Sequence, residues 1–194
     1  VIDFVMRVEQ YQGVPACILG NHEDRHISYD DIEQRDGSVT VRNLKHVATR
    51  RQLQRRHYDY FRSMPLYVRL PQYNCACVHA GVFPGRSIEK QDKCHLLHAQ
   101  MLNPAISEKT KWPSKVANDP GWKFWTHYWD GPERIIFGHT GLDKPLVTDK
   151  FVGIDTGAVF GRELSAFILP DNRIVSVKSD VDFGDVSREP FVPG

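Results

Sequence analysis

Leu19-Gly20-Asn21-His22-Glu23-Asp24 closes a short apolar run (Val14, Ala16, Cys17, Ile18, Leu19) and opens onto a polar segment rich in Asp and Arg. The run is brief and partly β-branched, which predicts a buried strand ended by Gly20. Such a strand delivers Asn21 and His22 to the carboxyl edge of a sheet, where ligands bind in α/β folds. Neighbouring side chains on extended backbone point to opposite sides. The pair therefore predicts two jobs, one side chain on an ion and the other toward a substrate.

The same grammar recurs twice. Cys75-Ala76-Cys77-Val78 runs into His79-Ala80-Gly81, and Arg134-Ile135-Ile136-Phe137 runs into Gly138-His139-Thr140-Gly141. Asn21, His79 and His139 are 58 and 60 positions apart, so only a folded sheet brings them together. An amide oxygen and two imidazoles suit a borderline divalent ion such as manganese, iron or zinc. One such His alone reads as a hydrogen-bonded structural residue; three strand-end placements favour a ligand set.

Gly20-Asn21-His22-Glu23, Val78-His79-Ala80-Gly81 and Phe137-Gly138-His139-Thr140, in that order, resemble consecutive signatures of the calcineurin-like metallophosphoesterases. More narrowly, they resemble the branch of phosphoprotein phosphatases and symmetrical diadenosine tetraphosphate hydrolases. Gly153-Ile154-Asp155-Thr156-Gly157-Ala158-Val159-Phe160-Gly161, followed by Leu164-Ser165-Ala166-Phe167, is similar to a segment of the bacterial-type members. The resemblance runs from about Gly13 to Ile174 and implies an α/β (α+β sandwich) fold, two packed mixed β-sheets flanked by helices. It also implies a single metallophosphoesterase domain over residues 1–194; residues 178–194, largely polar with Pro190 and Pro193, read as a tail.

What the resemblance implies chemically is hydrolysis of a phosphoester or phosphoanhydride by a metal-activated hydroxide at two divalent ions (Mn, Fe, Zn or Mg). Asn21, His79 and His139 would hold the second ion, and His22 would protonate the leaving group. The family's two earlier motifs, Asp-x-His and Gly-Asp-x-x-Asp-Arg-Gly, have no counterpart here: before Asn21 stand only Asp3 and Glu9 as carboxylates, and no His. The expectation is an amino-terminal segment, with its strands, missing from this chain. A binding module that has lost the first metal site is the alternative.

A chain of 194 residues with net charge +1 supports a sizeable core and predicts no general attraction to nucleic acid or membrane. No stretch approaches the length of a membrane span. Cys17, Cys75, Cys77 and Cys94 show no metal-ligand spacing. Cys17, Cys75 and Cys77 sit in strand-like runs and read as buried thiols in a reducing, cytoplasmic compartment. The substrate expected is a dinucleoside polyphosphate or related nucleotide, with a phosphoprotein as the alternative.

Further expectations follow along the chain. Ile2, Val5 and Met6 share a helical face stopped by Gly13. Asp24 to Val41 reads as an exposed polar insertion, and Thr49-Arg50-Arg51-Gln52 as a capping box opening the next helix. Leu53, His57, Tyr60, Phe61 and Met64 form that helix's apolar face; Arg50, Arg51, Arg55 and Arg56 form a solvated basic face or, more sharply, a polyanion platform. Leu66 to Leu70 pairs through Pro71 to Asn74 with the strand to His79. His95 and His98 read as surface histidines on a short helix. Trp122, Trp125 and Trp129 recur at helical spacing and predict a packed helix, with a nucleobase-stacking wall, Trp112 included, as the functional reading. Phe151 to Ile154, Leu164 to Leu169 and Ile174 to Val177 are predicted strands of a meander.

Overall fold

The computed structural model describes residues 1–13, 15, 17–107 and 121–180. Two compact units divide the chain, Val1–Leu66 and Tyr67–Gly194.

The first unit is helical. α1 (Ile2–Gln12) ends where predicted, with Gly13 at φ 68° and its N–H on the Glu9 carbonyl. Among the described residues the predicted strand before Asn21 is not formed: residues 17–20 belong to no ladder, although Leu19 is buried and its N–H donates to the Pro65 carbonyl (2.8 Å). The polar insertion is instead α2 (Asn21–Asp36), capped by Gly37 at φ 76°. It is polar nearly all round, so no apolar stripe advertised it; of its two buried residues, His26 and Asp30, the second is held by ion pairs. Asp30 accepts from Arg62 (2.6 Å), Gln34 (2.7 Å) and Arg55 (3.1 Å). Burial alone would raise this carboxyl, but the Arg62 and Gln34 hydrogen bonds and the two guanidinium charges hold it below its ordinary value.

α3 (Leu44–Arg50) begins at Asn43, whose side chain accepts from the Lys45 and His46 amides. The expected capping box at Thr49 is absent because that residue closes α3. α4 (Arg55–Ser63) starts later, its cap made by the Gln54 N–H on His57 Nδ1 (3.1 Å). His57, Tyr60 and Phe61 are buried as expected. Arg50 pairs with Glu33, Arg55 with Asp59, and Arg56 with Asp3. These carboxylates offset the basic face, which favours the solvated reading over a polyanion platform.

The second unit is built on a five-stranded sheet. β1 (Tyr67–Leu70) and β2 (Cys75–Val78) form the predicted antiparallel hairpin. α5 (Lys93–His98), β3 (Met101–Leu102), α6 (Pro104–Ser107) and β4 (Lys123–Phe124) follow. β5 (Arg134–Phe137), β6 (Leu146–Val147) and β7 (Phe151–Gly153) complete the order β1-β2-β5-β7-β6, with β2, β5 and β7 mutually parallel. β8 (Glu163–Ile168) and β9 (Arg173–Lys178) form a separate antiparallel hairpin, so the expected meander holds for these two strands and not for β7. Phe167, Leu169 and Ile174 of that hairpin pack on Cys75, Ile136 and Val152. Among the described residues the second layer is thus two-stranded and antiparallel rather than mixed.

The Trp-rich segment is not a helix: β4 leads into a single tight turn over Trp125–His127. Trp125 is fully buried and edge-on to Phe137 at 5.0 Å, and Trp129 is 5% exposed. Both are core, which removes them from a stacking wall. Trp112 and the tail beyond residue 180 lie outside the described residues. The four cysteines are free thiols; of the three expected to be buried only Cys75 is fully so, Cys17 and Cys77 being half-buried, and burial pushes Cys77 up to about 11.

Candidate active site

Parallel pairing brings two of the predicted ligands together. The register Cys77↔Ile136 sets the carboxyl ends of β2 and β5 at one edge, and the Gly138 N–H donates to the His79 carbonyl (3.0 Å). His79 Nε2 then lies 3.2 Å from His139 Nδ1. Two nitrogens each about 2.0–2.1 Å from one ion are roughly 2.8–3.4 Å apart between right and tetrahedral angles. The observed gap therefore suits two ligands of a shared cation. His139 has φ 64°, a left-handed backbone that costs on the order of 1 kcal/mol and clusters at functional loops. β7 delivers Asp155 just beyond the same edge, where its Oδ1 accepts the Gly157 N–H (3.0 Å).

The donor chemistry fits a borderline divalent ion in part. Among the described residues no three His, Cys, Asp or Glu side chains converge enough to hold one, so the imidazole pair needs a further donor. His98, which sequence reasoning set aside as a surface residue, lies edge-on to His139 with ring centroids 6.2 Å apart. His95 is 3% exposed; it is a core histidine against Phe83 (4.9 Å), not a surface one.

Asn21 and His22 belong to the first unit, where they open α2. Consecutive helical residues diverge by about 100° rather than pointing to opposite faces, so the divergence expected of the two side chains survives in reduced form. His22 Nδ1 lies 3.2 Å from His46 Nε2, and His46 Nδ1 lies 3.4 Å from the Tyr29 hydroxyl. His22, exposed, is thus backed by a chain through His46 to Tyr29. His26, one helical turn on and 4% exposed, packs against His46 with ring centroids 5.2 Å apart. Burial first, then the charges of His46, Arg50 and His22, push His26 down to about 4. Nothing in the sequence flagged His46 or Tyr29; a helical reading of residues 21–36 would have put His22, His26 and Tyr29 on one side.

No family model matches the chain. Curated relatives do. The chain is 26% identical over 194 residues to bis(5'-nucleosyl)-tetraphosphatase PrpE, of the asymmetrical type, from Bacillus velezensis, covering 97% of this chain and 74% of the relative. Its counterpart from Anoxybacillus flavithermus is 28% identical over 200 residues, covering 98% and 77%. That from Oceanobacillus iheyensis is 30% identical over 134 residues, covering 69% of this chain and 48% of the relative. The chain thus spans about three quarters of two of these proteins and about half of the third. A crystal structure provisionally described as a diadenosine tetraphosphatase superposes with a TM-score of 0.69 at 22% identity, covering 89% of this chain and 72% of that one. The chain belongs to the metallophosphoesterase superfamily, in its diadenosine tetraphosphatase-like group. The α/β architecture of this metallophosphoesterase is the one its sequence motifs implied. Among its described residues, no helix is long and apolar enough to cross a membrane.

Proposed function

We propose that this metallophosphoesterase hydrolyses dinucleoside polyphosphates with the help of divalent metal ions. The observation that carries the reading is the His79–His139 nitrogen pair at 3.2 Å, in a chain whose relatives are named bis(5'-nucleosyl)-tetraphosphatases. His79 and His139 would hold one ion (Mn, Fe, Zn or Mg), and Asn21 carries the ligand role that its motif implies. When bound, the metal supplies charge neutralisation at the phosphate and an activated water at neutral pH.

The chain's own residues set the rest. His22 acts as general acid from Nε2, a role suited to an imidazole. His22 Nδ1–H donates to His46 Nε2, and His46 Nδ1–H donates to the Tyr29 oxygen, so the ring keeps one orientation while Nε2 gives up its proton. The Asp155 carboxylate, tied to the Gly157 N–H, braces the loop after β7.

The test is a panel of dinucleoside tetraphosphate, capped RNA, polyphosphate and phosphopeptide offered to the intact natural protein with Mn, Fe, Zn or Mg. Turnover of the dinucleotide supports the proposal; turnover of the phosphopeptide alone would move the protein to the phosphoprotein phosphatase reading. Products separate the two cleavage modes. A nucleoside triphosphate plus a monophosphate means asymmetrical cleavage, as the relatives' names have it, whereas two diphosphates means the symmetrical cleavage that the motif resemblance favours.

A further inference from the structure

Arg162 is absent from every role described so far, and its surroundings are unusual for a guanidinium. It follows Gly161 (φ 77°) and precedes β8. Its backbone is pinned on both sides: the Arg162 N–H donates to the Gly157 carbonyl (3.2 Å), and the Ser179 N–H donates to the Arg162 carbonyl (2.8 Å). The side chain lies flat against two glycine loops. A Cβ at Gly157 would come within 2.3 Å of Nε and Nη2, and one at Gly141 within 2.8 Å of Nη2. Gly141 is two residues past His139 and Gly157 two past Asp155, so the guanidinium touches the loops that leave β5 and β7 at the His139 edge.

Nε and Nη1 of Arg162 are buried and have no hydrogen-bond partner among the described residues. Thr140 Oγ1, between His139 and Gly141, is likewise buried without a partner, on a residue only 4% exposed. A guanidinium cannot shed its charge and offers donors only. Burying such donors unpaired is costly, and the fold tolerates it only if a counter-anion supplies what the chain does not. The planar fork matches two oxygens of one phosphate. The small residues 141 and 157 leave room for the fork, since a side chain at either would occupy the guanidinium's place.

We propose that Arg162 binds a phosphate group, forming with the Gly141 and Gly157 loops an anion subsite beside His139. That this phosphate is part of a dinucleotide's polyphosphate chain rests on the function proposed above; the anion subsite itself does not. The probe is inorganic tripolyphosphate, titrated calorimetrically in metal-free buffer into the parent protein, Arg162→Met and Arg162→Lys. Loss of a charge-assisted fork is expected to weaken binding by about 10- to 100-fold in R162M. R162K, which keeps the charge without the fork, should fall in between. Because R162M also removes two buried unpaired donors, its thermal midpoint should equal or exceed the parent's.

Equal tripolyphosphate affinity in the parent and R162M overturns the proposal, as does a parent that binds none. A lowered midpoint in both variants also overturns it, by making Arg162 a structural ion. The two readings part cleanly. Tripolyphosphate binding through Arg162 in a protein that cleaves no dinucleotide refutes the function and keeps the subsite. Dinucleotide cleavage with an unchanged KM in R162M refutes the subsite and keeps the function.

Discussion

His22 has one ring nitrogen engaged by His46 at 3.2 Å and the other free to transfer a proton in the proposed reaction. His22→Ala should therefore keep its metal and lose about 10²- to 10⁴-fold in kcat, the usual worth of general acid catalysis. Unchanged turnover would take His22 out of the mechanism. His139 has the opposite profile. Its left-handed backbone and the 3.2 Å approach to His79 support the ligand role proposed for it, so His139→Ala should lower metal per chain as measured by elemental analysis. Occupancy equal to the parent's would sink that assignment. Both histidines stood out in the sequence because each follows an apolar run, His139 among small residues and His22 directly after Gly20-Asn21. His95 did not: with no third ligand near it and His98 it read as a surface residue, and burial against Phe83 is a through-space fact.

At the scale of elements, α2 is the part of the chain that pattern reading missed. It has almost no apolar face, and what fixes it is Asp30 in the grip of Arg62 and Arg55 from α4, together with Gly37 at its end. Gly37→Ala places a side chain at φ 76° in otherwise open space, so the cost is conformational, about 1 kcal/mol in urea unfolding. A loss near zero would mean the helix end relaxes.

His26 on the same helix makes stability depend on pH. The unfolded imidazole titrates near 6.5 and the folded one near 4. Between these values the unfolded state binds more protons, so its share of stability is intact above about pH 6.5 and is lost as pH falls toward 4. That share is at most a few kcal/mol. The groups around it (His22, Tyr29, His46 and Arg50) are unchanged in His26→Leu, which should flatten the fall in urea midpoint between pH 6.5 and 4.5. An equally steep fall would assign the acid sensitivity to other groups.

For the molecule as a whole, the proposed hydrolysis requires metal. Chelation should abolish dinucleotide turnover and Mn should restore it; full activity after exhaustive chelation would refute the metal-dependent reading. The core of the second unit makes a separate prediction. Trp125, wholly buried between Phe137 and Phe151, should cost about 3–5 kcal/mol on truncation to Ala, read from urea unfolding of the second unit.

The sequence by itself determined the β1–β2 hairpin, the strand into His139 and the β8–β9 hairpin, because apolar runs and turn residues act locally, over a few positions. It also marked His79 and His139 as companions through their common setting. Only the tertiary structure decided that β2 and β5 run side by side and parallel, which sets the two imidazoles 3.2 Å apart. Tertiary structure alone also made a helix of a polar segment, set His46 behind His22 and left Nε and Nη1 of Arg162 buried without a partner among the described residues. These outcomes depend on charges and ring nitrogens meeting across long stretches of chain, and no local period encodes such distances.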